Sequence, residues 1–516
     1  MGLTAELLPH QFTLSKGYLQ SLPKVGNKDI YAVLHGGGPA PGSNDAIHGV
    51  ASMLISHKCV LIGFINGFKG AMAGHGVLLT RELIRGLEGK GGVALGTTRY
   101  SPKTDEDIRK FLALCVENKI KGTVLIGGDD TNTVAARTAK VAEKEFPGKV
   151  KIIGLTKTID NDTTGEITYG FRTFVNEAKR LVVNLKADAN AQDVPAAYIV
   201  EIMGRSSGAL TLEIGKAAAA SGIFIPEEFS LTGIKQIINS PKDQAVKDIL
   251  LERIARMVQV NGETLKMKDF LDQVEALDKL SVKDQEKANS AIKLNAGGLA
   301  NEIVNIMEAR INMEGKDDGP TYGVFTIAEG LSGRFPTKII EKDNKGNPVK
   351  FEVLGLSTPV TIGCDDFFNP RFADVQLAAH LMPLIKGCAA DRGIKLKAVE
   401  KDIGYELRSA DPDAFDINLA ESEGELAAEL LMKGISNVTV FAKANGEVSY
   451  ISYDKLLKDE RGHLIPRTVN LSSGLYWGGV NKWIYKTAKT IKHDEQNSTM
   501  GENSSSSTTD DNRKGT

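Results

Sequence analysis

Thr123-Val-Leu-Ile-Gly-Gly-Asp-Asp-Thr131 runs from an apolar, β-rich stretch through two glycines into two carboxylates. The residues that follow, as far as 145, carry small and apolar side chains at helical spacing. Strand, tight turn and helix in that order form the unit from which helix-covered parallel sheets are built. Small residues at such a strand tip let the backbone approach phosphates, and one acid there can hold a Mg²⁺ that neutralises them. Two adjacent acids repel each other, so Asp130 needs a reason beyond the one that serves Asp129.

The same unit recurs along the chain. Short β-rich runs at 30–34, 59–65, 150–155, 196–202, 322–328 and 438–442 alternate with amphipathic stretches. Helices are predicted over 44–56, 105–117, 131–145, 371–386 and 421–432, each after a glycine-rich, acidic or proline-bearing turn. The fold class is therefore α/β, with parallel-rich sheets flanked by helices. Residues 243–313 break the pattern, being long, charged and helical in periodicity. They are read as an insertion, either helices packed on a second domain or a lid or oligomer contact. The stretch 493–516, rich in Ser, Thr, Asn, Asp and Gly, is expected to be disordered.

A chain of 516 residues with 41% hydrophobic side chains can bury two or three domain cores. Its 63 basic and 65 acidic residues nearly cancel, so no global field favours nucleic acid or an anionic membrane, and anion binding must be local. The four cysteines are scattered without CxxC spacing, which argues against a disulfide framework and for a reducing, cytoplasmic setting. No basic-then-apolar leader and no apolar run of membrane length is present.

Several motifs lie where a predicted strand ends. His35-Gly-Gly-Gly-Pro-Ala-Pro-Gly-Ser-Asn-Asp45 can turn backbone N–H groups toward a phosphate, yet it lacks the GK[ST] ending of a Walker A loop and the spacing of a dinucleotide fingerprint. A second glycine-rich loop, Lys90-Gly-Gly-Val-Ala-Leu-Gly-Thr-Thr-Arg99, has a cation at each end. Thr156-Lys-Thr-Ile-Asp-Asn-Asp162 holds two carboxylates two residues apart, which extended geometry would turn to one side. One could take a proton from a substrate hydroxyl while the other orients it or helps hold the metal; a helix-capping turn uses the same residue types. Met203-Gly-Arg205 offers a guanidinium for a phosphate monoester. Glu329 in Ile327-Ala-Glu-Gly330 could accept sugar hydroxyl hydrogen bonds, and Gly404-Tyr-Glu-Leu-Arg408 adds a phenol and another cation.

Glycine loop, GGD, TIDND, MGR, EG and G-Y-E-x-R, in this order from 29 to about 492, resemble the phosphofructokinase family. The resemblance implies phosphoryl transfer to the 1-hydroxyl of fructose 6-phosphate, assisted by Mg²⁺, in a cleft between two Rossmann-like domains. It implies a donor domain over 29–171 plus 407–492 and a sugar-phosphate domain over 172–406, after an N-terminal extension at 1–28. By matching motif, Asp160 would accept the proton and Asp129 would bind the metal. Thr158, Ile159, Asp162, Met203, Gly204, Arg205, Glu329, Tyr405 and Arg408 would contact the sugar phosphate, and Gly37, Gly38 and Lys90 the donor. A basic residue from a neighbouring subunit often completes such sites, which implies a homodimer or homotetramer.

ATP-dependent members of that family resemble this chain but usually carry glycine at the positions of Asp130 and Lys157. An aspartate there would face the α-phosphate of ATP, and like charges about 4 Å apart cost roughly 4 kcal/mol at an effective dielectric of 20. Pyrophosphate has no α-phosphate to place there, and Lys157 can stabilise the charge that develops on it. The pair is the pattern of pyrophosphate-dependent members, so pyrophosphate is the expected donor and the reaction is expected to be reversible. The Gly-Gly-Gly-Pro-Ala-Pro-Gly loop resembles a branch that also contains ATP-dependent enzymes, which keeps an ATP-dependent 6-phosphofructokinase as the alternative. A non-catalytic regulatory subunit of the family is a further alternative, against which the intact Asp129, Asp160, Asp162 and Arg205 argue.

Overall fold

The computed structural model describes residues 11–478 apart from 24, 99, 281–289, 313–320, 366–367, 457 and 460–461. The expected disordered stretch at 493–516 lies outside the described residues, as do 1–10 of the expected N-terminal extension. Eight strands form the larger sheet, in the order Gln11–Thr13, His75–Leu79, Val60–Phe64, Ile30–His35, Ile120–Gly127, Lys151–Thr156, Val438–Ala442, Val448–Ser452. Its five central strands, from Val60–Phe64 to Val438–Ala442, are mutually parallel. Alternation puts Tyr31 and Val33 into the apolar cluster on one face and Ile30, Ala32 and Leu34 into the cluster on the other. Burial on both faces explains why these strands read as continuous apolar runs.

A second, wholly parallel sheet has the order Lys397–Ile403, Ala196–Ile202, Tyr322–Ala328, Gly222–Phe224. Ala197 and Ile199 face one cluster, and Ala196, Tyr198 and Val200 the other. The helices Gln244–Met257, Met267–Asp278 and Ala296–Asn312 account for much of the segment read as an insertion. Their Leu250, Ile254, Phe270, Leu299, Ile303 and Met307 share a cluster with Phe325 of the sheet, so these helices are part of its apolar cover. Two short strands, Val258–Val260 and Ile292–Leu294, pair within the same segment, and a three-stranded antiparallel sheet spans Thr337–Lys342, Pro348–Val353 and Val360–Gly363.

Two helical expectations are corrected and one helix is added. The helix expected over 371–386 is broken at Gln376, whose φ of 52° is left-handed, and the α-helix proper is Leu377–Asp391. The one expected from 421 begins at Ala414, where the Asp413 side chain accepts the N–H of Asp416 and caps it. The helix Phe171–Asn190 was not anticipated, although Phe174, Ala178 and Val182 recur at helical spacing and are buried in one apolar cluster with Phe171, Val175, Leu181 and Leu185 packed against it.

Candidate active site

Strand register gathers the motifs. His35 pairs with Ile126 and Gly127 with Thr156, so the 36–38 glycines, the Asp129-Asp130 turn and the 157–162 segment leave one sheet edge together. In the second sheet Ile403, Ile202 and Ala328 are aligned, so Gly404, Met203 and Glu329 emerge side by side. The two sets of loops meet through Arg205 and Asp130, and the space between them is the candidate cleft.

Asp129 and Asp130 open the helix Asp129–Glu145, where the partial positive charge of the first turn favours anions. Arg205 reaches Asp130 from the second sheet, its Nη1 donating to Oδ2 at 3.4 Å. The Arg205 N–H donates to Glu329 Oε1 at 2.5 Å, which fixes the turn in which Arg205 has a φ of 50°. Lys157 is buried, and its ammonium donates to the Gly38 carbonyl at 2.5 Å. Arg408 approaches the same glycine: a Cβ on Gly38 would lie 3.2 Å from its Nη1. The Arg408 guanidinium also stacks over the Tyr405 ring, 4.6 Å from the centroid, and Tyr405 is 61% exposed.

The first loop is held from behind. The Thr97 hydroxyl donates to the Gly37 carbonyl at 2.6 Å and contacts His35 Nδ1, while His35 Nε2 meets Ser43. Gly37 has a φ of 77°, which suits glycine, and its N–H is taken by the Thr98 carbonyl, as the Gly36 N–H is by Ile126. These two N–H groups are therefore spent inside the fold, contrary to the expectation that the loop glycines present theirs to a phosphate. Lys90 is exposed, and its carbonyl accepts from Asn44.

The strand before TIDND ends at Thr156, and Asn161 is left-handed with a φ of 50°. The extended geometry expected for Asp160 and Asp162 is thus replaced by a turn, because Thr158 accepts the Asp160 N–H and donates to Asp162 Oδ1 at 3.1 Å. Ile159 packs its side chain into the apolar cluster with Ala40 and Phe174. Asp160 Oδ1 is buried without a hydrogen-bond partner among the described residues, and a Cβ on Gly204 would lie 3.9 Å from it.

Crowding of acids sets the electrostatics. Burial pushes the Asp160 carboxyl up to about 6, with Arg205 opposing the rise and Glu329 adding to it. Burial and then Asp160 push Asp162 up to about 7. Asp129 is raised well above the usual range by burial, Asp162 and Asp130. Lys157 is lowered to about 8 by burial and by Arg205, against the pull of Asp160. All the nearby acidic donors are carboxylate oxygens, one of them unpartnered, and a divalent cation would relieve their repulsion. Among the described residues no three His, Cys, Asp or Glu side chains are arranged to hold a metal ion. Mg²⁺ commonly takes one or two carboxylates and completes its shell with substrate phosphates and water, so the donor set fits it.

Two residues here carried no sequence signal. Asp365, braced by Asn369, adds negative charge near Asp130 and Arg205. Arg467 binds the TIDND turn from a segment with no motif of its own.

A profile of the phosphofructokinase family matches residues 30–315, more than half of the chain. The chain belongs to the phosphofructokinase family. A pyrophosphate–fructose 6-phosphate 1-phosphotransferase of Thermotoga maritima is 28% identical over 461 residues, 86% of this chain and 88% of that one. An ATP-dependent 6-phosphofructokinase of Persephonella marina is 33% identical over 249 residues, 46% of this chain and 74% of its own. A solved pyrophosphate-dependent phosphofructokinase of Nitrosospira multiformis covers 89% of this chain and 92% of its own at 15% identity, with a TM-score of 0.54. That last likeness concerns the fold alone. As a phosphofructokinase the chain is a phosphotransferase enzyme, and among the described residues no helix is long and apolar enough to cross a membrane.

Proposed function

We propose that this phosphofructokinase transfers a phosphoryl group reversibly from pyrophosphate to the 1-hydroxyl of fructose 6-phosphate. The observation that carries the reading is the placement of the two departures from the ATP pattern. Asp130 faces the cleft against Arg205, and the buried Lys157 is fastened to the first glycine loop through Gly38. A carboxylate at the first position repels a nucleotide's α-phosphate, and an ammonium at the second compensates a short, highly charged donor.

Asp160 is the general base in this proposal: its raised pKa of about 6 suits proton abstraction near neutrality, and its buried Oδ1 has no hydrogen-bond partner among the described residues. Asp162, its carboxyl pushed up by burial and by Asp160, holds the turn by accepting from the Thr158 hydroxyl. Asp129 would hold Mg²⁺, which supplies charge neutralisation and orientation of the phosphates when bound. Arg205 would turn from Asp130 to a phosphate, and Glu329 fixes its backbone while the carboxylate remains available to sugar hydroxyls. Thr158, Met203, Gly204, Tyr405 and Arg408 complete the sugar-phosphate contacts, and Gly38 and Lys90 those to pyrophosphate, while Gly37, whose N–H is held by Thr98, shapes the loop rather than donating to the phosphates. Ile159 contributes through its backbone, since its side chain is in the core.

The division into a donor unit (29–171 plus 407–492) and a sugar-phosphate unit (172–406), a homodimer or homotetramer with shared sites, and a cytoplasmic location belong to the same proposal. The ATP-dependent relative supports the second reading, ATP as donor, over the 46% of the chain that it matches. The reaction in reverse tests the proposal: fructose 1,6-bisphosphate, phosphate and Mg²⁺ should yield pyrophosphate with the purified chain, and formation of none would refute it.

A further inference from the structure

The Asp160–Asp162 turn has no sheet to define it, yet the three consecutive carbonyls of Asn161, Asp162 and Thr163 are bound by one residue. The Arg467 backbone N–H donates to the Asp162 carbonyl, its Nε to Thr163 at 3.0 Å and its Nη2 to Asn161 at 2.9 Å. Nη2 also lies 3.5 Å from the Asn161 side-chain oxygen. Since Asn161 adopts the left-handed conformation that orients its two neighbours, a donor on its carbonyl acts on the geometry of both carboxylates.

Arg467 is itself anchored on both sides. Before it, Leu464 is buried in a cluster of the larger sheet and its N–H donates to Thr133, on the helix that Asp129 opens. After it, the Val469 N–H donates to Glu227 and the Leu471 N–H to Gln236. Leu471, Tyr476 and Trp477 are then buried in a core of the second sheet, with the Tyr476 hydroxyl on Glu228 at 2.7 Å. A single continuous segment, irregular at first and helical from residue 474, thus leaves one sheet's core, crosses the Asp160–Asp162 turn and enters the other's.

We propose that Arg467 is a positioning residue that holds the Asp160–Asp162 turn in its reactive shape, and that the 464–477 strap ties this shape to the relative placement of the two sheets. The proposal rests on the reading of Asp160 as the base. Arg467 touches backbone rather than reacting atoms, so its loss should appear in the chemical step more than in ground-state binding. A displacement of about 1 Å in a catalytic group costs on the order of 10²-fold in rate.

The test compares the parent chain with Arg467→Met and Arg467→Lys, using pyrophosphate, fructose 6-phosphate and Mg²⁺. Arg467→Met should lower kcat about 10²-fold with both KM values within about threefold. Arg467→Lys, which keeps the backbone N–H and one side-chain donor, should fall between. Hydrogen exchange read over 158–168 should quicken in Arg467→Met, and this readout does not depend on turnover. An inactive parent would refute the reading of the reaction while exchange still tests the strap. Parent-like kcat and parent-like exchange in a folded Arg467→Met would overturn the proposal, and if that variant fails to fold, the same outcome in Arg467→Lys would do so.

Discussion

Arg205 and Asp130 meet across the cleft at 3.4 Å, joining a turn of the second sheet to the helix that opens with the Asp129-Asp130 pair. The Arg205 side chain is 61% exposed. Asp130 is more enclosed, at 23%, but a pair with one exposed partner at 3.4 Å is a weak one, so a phosphate monoester can compete for the guanidinium. Asp130 thus serves two ends in this account, keeping Arg205 at the cleft and repelling the inner phosphate of a nucleotide.

Asp130→Gly should admit ATP. Removing a repulsion of roughly 4 kcal/mol should raise kcat/KM for ATP by about 10²–10³-fold and lower it for pyrophosphate. Steady-state kinetics with each donor check this, and an ATP rate no higher than the parent's would remove the charge argument.

Lys157 links activity and stability to pH in opposite senses. Its pKa is lowered from 10.5 to about 8, chiefly by burial, so below pH 8 both folded and unfolded chains carry the charge and the fold bears its full burial cost. Between 8 and 10.5 the unfolded chain holds the extra proton and stability from this group rises with pH. Lys157→Met should therefore raise Tm at pH 7, by a margin that shrinks toward pH 10. The parent's kcat/KM for pyrophosphate should fall above about pH 8 as the ammonium is lost, and kcat of Lys157→Met should be about 10²–10³-fold lower.

Asp160→Asn should lower kcat about 10²–10⁴-fold with little change in KM. The carboxyl's folded pKa of about 6 exceeds its ordinary 3.8, chiefly through burial. Its stabilising contribution is thus complete below about pH 4 and lost as pH rises through 6. At pH 7.5 the amide, which carries no buried charge, should melt higher than the parent, and at pH 4 the advantage should vanish.

Chelation of Mg²⁺ should abolish turnover reversibly. Asp129→Asn should raise the Mg²⁺ concentration needed for half-maximal rate by about tenfold or more, while Asp374→Asn, far along the chain and paired with Arg371, should leave it unchanged.

Much of this was legible in residue order because short continuous apolar runs and glycine turns report doubly buried strands and their ends. The runs at 30–34, 123–126, 150–155, 196–202 and 322–328 all became parallel strands; register within the larger sheet brought Gly38, Lys157 and Asp130 to one edge, where Arg205 meets them from the second sheet. What escaped was set by contacts remote in sequence. Asn161 took a left-handed turn because Thr158, Thr168 and Arg467 bind its neighbourhood, and nothing within TIDND announces Arg467. The break at Gln376 was hidden for a similar reason: the sequence around it keeps helical spacing, and only the backbone reversal shows the interruption.

The donor is the centre of the account, and one comparison addresses it directly: initial rates of fructose 1,6-bisphosphate formation from fructose 6-phosphate and Mg²⁺, with pyrophosphate or ATP as the sole donor. The account predicts turnover with pyrophosphate and a kcat/KM for ATP lower by at least about 10²-fold. Turnover with ATP and none with pyrophosphate would contradict it.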